Sequence, residues 1–106
     1  MNDVFRAIAD PTRREILDSL ARKSESVTEL AKDFAMSLPA VSQHLRVLQD
    51  AQLITGHRKG RHIFYRLNPA PLRTVALWID PYERFWRASL DALETHLRRR
   101  HGRHHP

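Results

Sequence analysis

The stretch from Ser37 to Ile54 combines an apolar stripe with hydrogen-bonding side chains at the spacing of one helix. Val41, Leu45 and Leu48 recur at intervals of four and three residues, which places them on one helix face. Between them lie residues with short or planar hydrogen-bonding groups: Ser42, Gln43 and Arg46. A plainly solvated helix would carry Lys and Glu there, so this polar face is a candidate for recognition of phosphates or base edges.

Other residues that could carry chemistry do not form catalytic or metal-binding patterns. Ser42 and His44 stand two residues apart on the predicted helix and point away from each other, so they make no nucleophile–base pair. The chain has only three Gly, hence no Gly-rich phosphate loop, and its lack of Cys excludes thiolate metal sites and disulfides. A His-rich end of this kind is typically an adventitious metal ligand: His101, His104 and His105. We expect no enzyme activity, no metal site and no cofactor.

Composition predicts one ordered domain. The 106 residues suffice for one small core, and 42% hydrophobic with 28% charged residues is an ordinary globular balance. No run approaches the roughly 20 apolar residues of a membrane span. The first ten residues contain acids where a signal peptide would need a basic and then an apolar run. We therefore expect a cytoplasmic protein without membrane association.

The net charge of +6 favours an anionic partner, and its distribution is uneven. Residues 38–67 contain Asp50 as their single acid but five basic side chains: Arg46, Arg58, Lys59, Arg61 and Arg66. Four further arginines fall in residues 96–106. We predict a folded domain over residues 1–97 and a disordered basic His/Arg tail over residues 98–106.

Capping residues predict where the helices begin. Asp or Asn accepts hydrogen bonds from the free amides of a first turn, and Pro at the next position lacks an amide that would stay unpaired. Such pairs are Asp10-Pro11, Asn68-Pro69 and Asp80-Pro81. Ser26 to Glu29 has the form of a capping box, and Ser37 caps the helix that runs to about Ala51. These signals predict about six helices.

The hydrophobic period changes after Leu53. Ile63, Tyr65 and Leu67 alternate with their neighbours as in a strand, and Lys59-Gly60 is the preceding turn signal. Two antiparallel strands, 54–58 and 62–67, are therefore predicted with a basic hairpin between them. Two short helices, a tight turn and a two-stranded ribbon make a winged helix-turn-helix, a mainly α fold whose second helix faces a DNA major groove.

Several motifs resemble the ArsR/SmtB family of bacterial repressors. They are DPTRREIL (10–17), SVTELA (26–31), SLPAVSQHLRVL (37–48), Gly60-Arg61 and YRL (65–67), and the match covers about residues 1–97. YERFW (82–86) and the Leu-rich helix after it resemble the autorepressor branch of that family, which lacks metal sites. The resemblance implies a homodimeric repressor of a palindromic operator near its own promoter, released by a signal. The inducer ligand is unknown.

The resemblance and the basic hairpin together give the candidate DNA contacts. The family's contacts fall at the start of the recognition helix, and the hairpin adds cations for phosphates or the minor groove. The predicted set is Ser37, Leu38, Pro39, Ser42, Gln43, His44, Arg46, Arg58, Lys59 and Arg61. The alternative for Ser42 and Gln43 is that they only solvate an exposed face.

This chain departs from the family pattern at three places. Leu38 stands where a polar residue is often found. Gln52 replaces a common Gly, which costs about 1 kcal/mol if the helix end keeps a left-handed residue. Ser26 and Thr28 match the positions of a Cys pair in the family's metal sensors, and hydroxyls are poor ligands for soft or borderline ions.

The first and last helices carry more apolar surface than one small core can cover. We predict that they form an isologous dimer interface through Phe5, Ile8, Tyr82, Phe85, Trp86, Leu90 and Leu93. Two other functions remain open on the residues alone. A winged helix can serve as a protein-interaction module, which would favour a neutral or acidic recognition face, and a non-specific nucleoid binder would bind any duplex alike.

Overall fold

The computed structural model describes residues 2–104, with side chains described for residues 3–100. Within that range the chain forms five helices and three strands, in agreement with a mainly α fold. In chain order they are α1 (Asn2–Ala9), α2 (Pro11–Arg22), β1 (Glu25–Ser26), α3 (Val27–Asp33), α4 (Leu38–Asp50), β2 (Ile54–Lys59), β3 (His62–Leu67) and α5 (Leu72–His104).

The chain divides into two units, Met1–Val75 and Ala76–Pro106. The first unit contains α1 to α4, all three strands and the first turn of α5, and it encloses the hydrophobic core. The second unit consists, in its described part, of the remainder of α5. No helix in residues 2–104 is long and apolar enough to cross a membrane.

Local capping signals begin α2 and α3 as the sequence predicts. The Asp10 side chain accepts a hydrogen bond from the Arg13 amide at 3.0 Å, and that bond holds the pKa of Asp10 below its ordinary value. Ser26 and Glu29 complete the capping box, with each side chain bonded to the other residue's amide, at 3.2 and 3.0 Å. The amide of Ser26 likewise lowers the pKa of Glu29.

The three strands form an antiparallel sheet in the order β1-β3-β2. The β2–β3 hairpin pairs Ile54 with Leu67 at its base and Lys59 with His62 at its tip, as predicted for the wing. β1 is an addition to the prediction: its two residues, Glu25 and Ser26, pair with Tyr65 and Phe64. Two residues are too few for a period-2 pattern, so the sequence carries no local sign of this strand.

One core holds the helix-turn-helix and the base of the wing together. Its members come from α1, α2, α3, α4 and the sheet, and the fully buried ones include Ile16, Leu30, Val41, Leu48 and Leu53. Removal of this apolar surface from water is the main stabilising term. Because α4 and the β2 base contribute to the same core, the wing is anchored to the helix that it follows.

The prediction of two C-terminal helices is wrong. A single helix, α5, runs from Leu72 to His104 with Pro81 inside it, so the described chain has five helices rather than about six. Asp80 pairs with Arg84 at 2.9 Å instead of capping a new helix, and Asn68 donates to the Gln52 carbonyl at 2.8 Å. Pro81 forfeits one helical hydrogen bond, but its fixed φ is compatible with a helix, and α5 continues through it.

The C-terminal segment also differs in secondary structure from the expectation. α5 includes residues 98–104, which the sequence assigns to a disordered tail. His105 and Pro106 lie outside the described residues. The division into a domain over 1–97 and a separate tail stays a prediction.

Candidate nucleic-acid interface

Helix α4 is held to the core by one face. Ser37 caps it, with its hydroxyl accepting from the Ala40 amide at 3.2 Å, and Val41, Leu45 and Leu48 are buried. The predicted apolar stripe is thereby confirmed. The Ser37 hydroxyl is engaged in the cap and fixes the first turn of α4, in which Pro39 has no amide to donate.

The opposite face of α4 is exposed and polar. Ser42, Gln43 and Arg46 are all exposed, and none of their side chains forms a hydrogen bond or ion pair with the described part of the chain. Pro39 is exposed, and Leu38 keeps 50% of its surface accessible. A planar amide, a hydroxyl and a guanidinium on one rigid helix can donate and accept hydrogen bonds at base edges and phosphates.

His44 occupies a different setting from its neighbours. It is half-buried, and its Nδ1 lies 3.5 Å from Nη1 of Arg13. The Arg13 guanidinium also donates to the carbonyls of Ala7 at 2.7 Å and Arg6 at 2.9 Å. His44 thus contacts the α1–α2 corner, and a direct DNA contact from it stays a prediction.

Two left-handed residues fix the ends of the turns around α4. Ala35, between α3 and α4, has φ 52°, and Gln52, after α4, has φ 60°. The Leu53 amide bonds to the Leu48 carbonyl at 3.0 Å and the Gln52 amide to the Gln49 carbonyl at 2.9 Å. This is the Schellman pattern that ends a helix, so Gln52 does take the conformation that Gly usually supplies.

The wing presents its cations at the hairpin tip. Arg58, Lys59 and Arg61 are exposed, and side chains alternate along a strand, so Arg58 and Lys59 point to opposite faces. Gly60 has φ 66° in the two-residue turn, a position that favours Gly because it lacks a Cβ. The base of the wing is buried through Leu53 and Ile54.

The residues predicted for the dimer interface fall into two groups. Those of α5 are exposed large hydrophobic side chains, from 67% accessible for Phe85 to 51% for Trp86, and Leu77, Trp78 and Leu97 are also exposed. Phe5 and Ile8 of α1 are half-buried, and Ile8 packs against the core. The structure therefore leaves the α5 side chains more accessible than those of α1.

The two positions that match the Cys pair of the family's metal sensors lie at the start of α3. Ser26 is buried and its hydroxyl caps α3, while Thr28 lies in the first turn of α3. Among the described residues, no group of three or more His, Asp or Glu side chains is arranged to hold a metal ion. The side chains of His101, His104 and His105 lie outside the described part of the chain.

Two residues have roles that the sequence does not reveal. Arg13 belongs to the motif DPTRREIL, and in the structure its guanidinium bridges α1, α2 and α4. Glu25 is an acidic residue, a type that usually lies at the surface, yet it is 2% exposed. The sequence offers one sign that Glu25 is buried, its position directly before a capping box, because the burial depends on pairing with the distant Tyr65.

Comparison with known proteins identifies relatives over most of the chain. Residues 10–55 match the model of the arsR family of bacterial regulatory proteins. The chain is 44% identical over 79 residues to the transcriptional repressor SdpR of Bacillus subtilis (strain 168), a match that covers 74% of this chain and 88% of that protein.

Solved structures of ArsR-like regulators have a fold similar to that of this chain. An ArsR-like transcriptional regulator from Rhodococcus sp. RHA1 superposes with a TM-score of 0.73 at 34% identity, covering 89% of this chain and 86% of that one. The homodimeric winged helix-turn-helix DNA-binding domain of a possible ArsR-family regulator from Mycobacterium bovis gives a TM-score of 0.64 at 29% identity, covering 77% of each chain.

Proposed function

This chain belongs to the arsR family of bacterial regulatory proteins, and we propose that it is a sequence-specific DNA-binding transcriptional repressor that acts as a homodimer in the cytoplasm. The observation that carries the proposal is the arrangement of α4. One face is buried and fixes the helix, and the other presents Ser42, Gln43 and Arg46 without partners in the described chain. The proposal assigns the protein no catalytic activity.

Base recognition is assigned to the first half of α4. Gln43 can pair bidentately with adenine, and the exposed Leu38 can contact a thymine methyl group. Ser42 and the positive N-terminal end of α4 suit phosphate oxygens, since a helix N-terminus favours anions. Arg46, one turn further along, adds a cation for the backbone.

The wing supplies contacts that depend little on sequence. Its cations, Arg58, Lys59 and Arg61, are exposed at the tip of a hairpin that the core anchors at its base. Exposed guanidinium and ammonium groups contact phosphates, which releases counterions and makes binding salt-dependent. We therefore assign affinity mainly to the wing and specificity mainly to α4.

Dimerisation is assigned chiefly to α5. Tyr82, Phe85, Trp86, Leu90 and Leu93 leave an apolar surface in water that monomers rarely tolerate. Pairing of two copies would bury it, and Phe5 and Ile8 of α1 are proposed to contribute. The related M. bovis domain is homodimeric. A two-fold dimer would present two recognition helices about one DNA turn, roughly 34 Å, apart, which matches a palindromic operator.

The proposal is tested by footprinting the full-length protein on DNA upstream of its own gene. Autoregulation predicts a protected site with two inverted half-sites one helical turn apart. A competition titration with a scrambled duplex then measures specificity. Equal affinity for both duplexes would indicate a non-specific nucleoid binder, and failure to bind either duplex at low salt would favour a protein-interaction module.

A further inference from the structure

The guanidinium of Arg13 joins three helices of the first unit. Its Nε donates to the Ala7 carbonyl at 2.7 Å and its Nη2 to the Arg6 carbonyl at 2.9 Å, both in the last turn of α1. Such contacts cap a helix, because its last four carbonyls have no partner within it. The Arg13 Nη1 also lies 3.5 Å from Nδ1 of His44 on α4, at the long end of the hydrogen-bonding range. Capping of α1 does not require this second contact.

The contact with Arg13 determines which nitrogen of His44 carries the proton. A guanidinium has five N–H donors and no acceptor, so Nδ1 of His44 must accept. A neutral imidazole accepts at one ring nitrogen and donates from the other, so its proton is on Nε2. A protonated ring has no acceptor and places a second positive charge beside the guanidinium. The Arg13–His44 hydrogen bond therefore forms only while His44 is neutral.

His44 lies on the flank of the recognition helix, between its buried and exposed faces. The ring is half-buried, and its neighbours in the chain are the exposed Gln43 and the buried Leu45. Successive helix residues differ by about 100° around the axis, so all three side chains turn together if α4 rotates. A rotation of α4 that redirects Gln43 therefore moves the His44 ring relative to Arg13. The hydrogen bond opposes such a rotation.

We propose that Arg13 and His44 are positioning residues, which fix the rotation of the recognition helix on the α1–α2 corner while His44 is neutral. The inference rests on the proposed function, in which the exposed face of α4 contacts DNA. Proton uptake by His44 breaks the hydrogen bond, so α4 rotates more freely and specific binding weakens in acid. Because the Arg13 guanidinium also caps α1, a proposed contributor to the dimer interface, it connects that interface with the recognition helix.

Two charged groups act on His44, and their distances decide the sign of the pH effect. The amide of Arg13, and then the positive charges of Arg13 and His44, lower the pKa of Asp10, which places this carboxylate near both cations. Asp10 forms no ion pair with His44 among the described residues, whereas the Arg13 guanidinium lies 3.5 Å from the ring. Coulomb energy falls with distance, so repulsion by Arg13 outweighs attraction by Asp10.

Within the described chain, no other element packed on α4 contacts His44 through a charged group. Asp3 and Arg6 of α1 line a small cavity one turn further along α4, with Val47 and Asp50. The charged or titratable side chains of α3 and β2 are all exposed, and they are Glu29, Lys32, Asp33, His57, Arg58 and Lys59. Arg13 and Asp10 therefore determine the response of His44 to a proton.

The contact itself is measured on the full-length protein without DNA. At about pH 8, where histidine is ordinarily neutral, long-range proton–nitrogen NMR correlations should show Nδ1 of His44 unprotonated and the proton on Nε2. Arg13→Gln should change the Nδ1 resonance, because it removes the donor. Arg14→Gln is the matched control, since the Arg14 guanidinium caps α1 at the Ile8 and Ala9 carbonyls and forms no bond with α4 in the described chain. A proton on Nδ1, or equal changes in both variants, would overturn the proposal.

The effect on recognition is measured as the ratio of specific to scrambled-duplex affinity at the same pH and fixed salt. Arg13→Gln should lower this ratio about three- to tenfold, the factor that corresponds to one hydrogen bond, while Arg14→Gln leaves it unchanged. His44→Asn and His44→Leu keep the test decisive if Arg13→Gln fails to fold. The Asn oxygen replaces Nδ1 as an acceptor and should keep the ratio, whereas Leu fills the space without an acceptor and should lower it. Equal losses in both would make His44 a DNA contact and overturn its positioning role.

The pH profile separates this role from simple packing. Between about pH 8 and about pH 5.5, where histidine gains its charge, the wild-type ratio should fall by the same factor, and the His44→Asn ratio should stay constant. Exposed histidines such as His57 and His62 strengthen binding to any duplex in acid, so they cancel in the ratio. A wild-type ratio that is constant or rises in acid would overturn the proposal. Failure to bind any operator would contradict the proposed function instead, because the NMR measurement decides the Arg13–His44 contact without DNA.

Discussion

Replacement of Gln52 by Gly should stabilise the protein. Gln52 follows the recognition helix with φ 60°, and its amide and that of Leu53 close the Schellman motif on Gln49 and Leu48. Its side chain is exposed, and its contact with Asn68 uses the backbone carbonyl, which Gly retains. The substitution therefore removes backbone strain without removing a known contact.

The magnitude follows from two opposing backbone effects at Gln52. A residue with a Cβ pays about 1–2 kcal/mol in the left-handed conformation. Gly avoids that cost but loses more freedom on folding, which offsets about 0.5–1 kcal/mol. The net expectation is a rise of about 0.5–1 kcal/mol in the free energy of unfolding, or about 2–8 °C in Tm.

Gln49→Gly is the matched control. Gln49 is exposed on the last turn of α4 with helical geometry, so Gly should destabilise there by about 0.5–1 kcal/mol. Both variants replace Gln by Gly, so the effect on the unfolded chain is the same in each. The difference between their free energies of unfolding, about 1–2 kcal/mol, therefore reflects the backbone conformation of the two positions in the folded state. Urea and thermal unfolding at one protein concentration measure both. Equal destabilisation by Gln52→Gly and Gln49→Gly would show that the left-handed backbone at Gln52 is not strained.

Four other predictions concern DNA binding, assembly and pH. Arg61→Ala should weaken binding to all duplexes alike and reduce the salt slope by about one unit; a loss confined to one sequence would make Arg61 a base reader. Phe85→Glu should shift sedimentation from dimer to monomer at micromolar concentration, whereas an unchanged dimer would place the interface elsewhere. Because Asp10 has a lowered pKa in the folded state, its stabilising contribution is present above the ordinary carboxyl value of 3.8 and is lost as the pH falls through the folded pKa. Asp10→Asn should therefore make Tm fall less steeply in acid; an identical acid profile would contradict this. Zinc or arsenite should leave operator binding unchanged in gel shifts, with chelator as the control, and release of DNA by either would reveal a metal site.

Features encoded by neighbouring residues were predictable from the sequence. Hydrogen bonds between residues a few positions apart form the helix caps at Asp10, Ser26 and Ser37. The hairpin turn at Gly60 is equally local. The polar and apolar faces of α4 follow from helical periodicity alone. Most of the candidate interface, including the exposed state of Gln43, could therefore be inferred from the amino-acid sequence.

Features that depend on distant residues were not predictable. β1 exists only because two residues pair with β3, about forty residues later along the chain, and that pairing buries Glu25. Asp80-Pro81 is compatible locally with a helix start or with a helix interior, and the two residues alone do not distinguish between them; in the structure the helix continues. The bridge from Arg13 to His44 spans 31 positions and follows from the packing of α4 on the α1–α2 corner.

If the exposed face of α4 reads DNA sequence, Gln43→Ala should lower the ratio of specific to scrambled-duplex affinity. At fixed salt, the variant should lose about 1–3 kcal/mol of discrimination, which lowers this ratio roughly 5- to 150-fold, with little change on scrambled DNA. Circular dichroism and sedimentation confirm that the variant is folded and assembled like the wild type. An unchanged ratio in a folded variant would mean that α4 does not read the base sequence, because Gln43 is the α4 side chain best suited to reading a base.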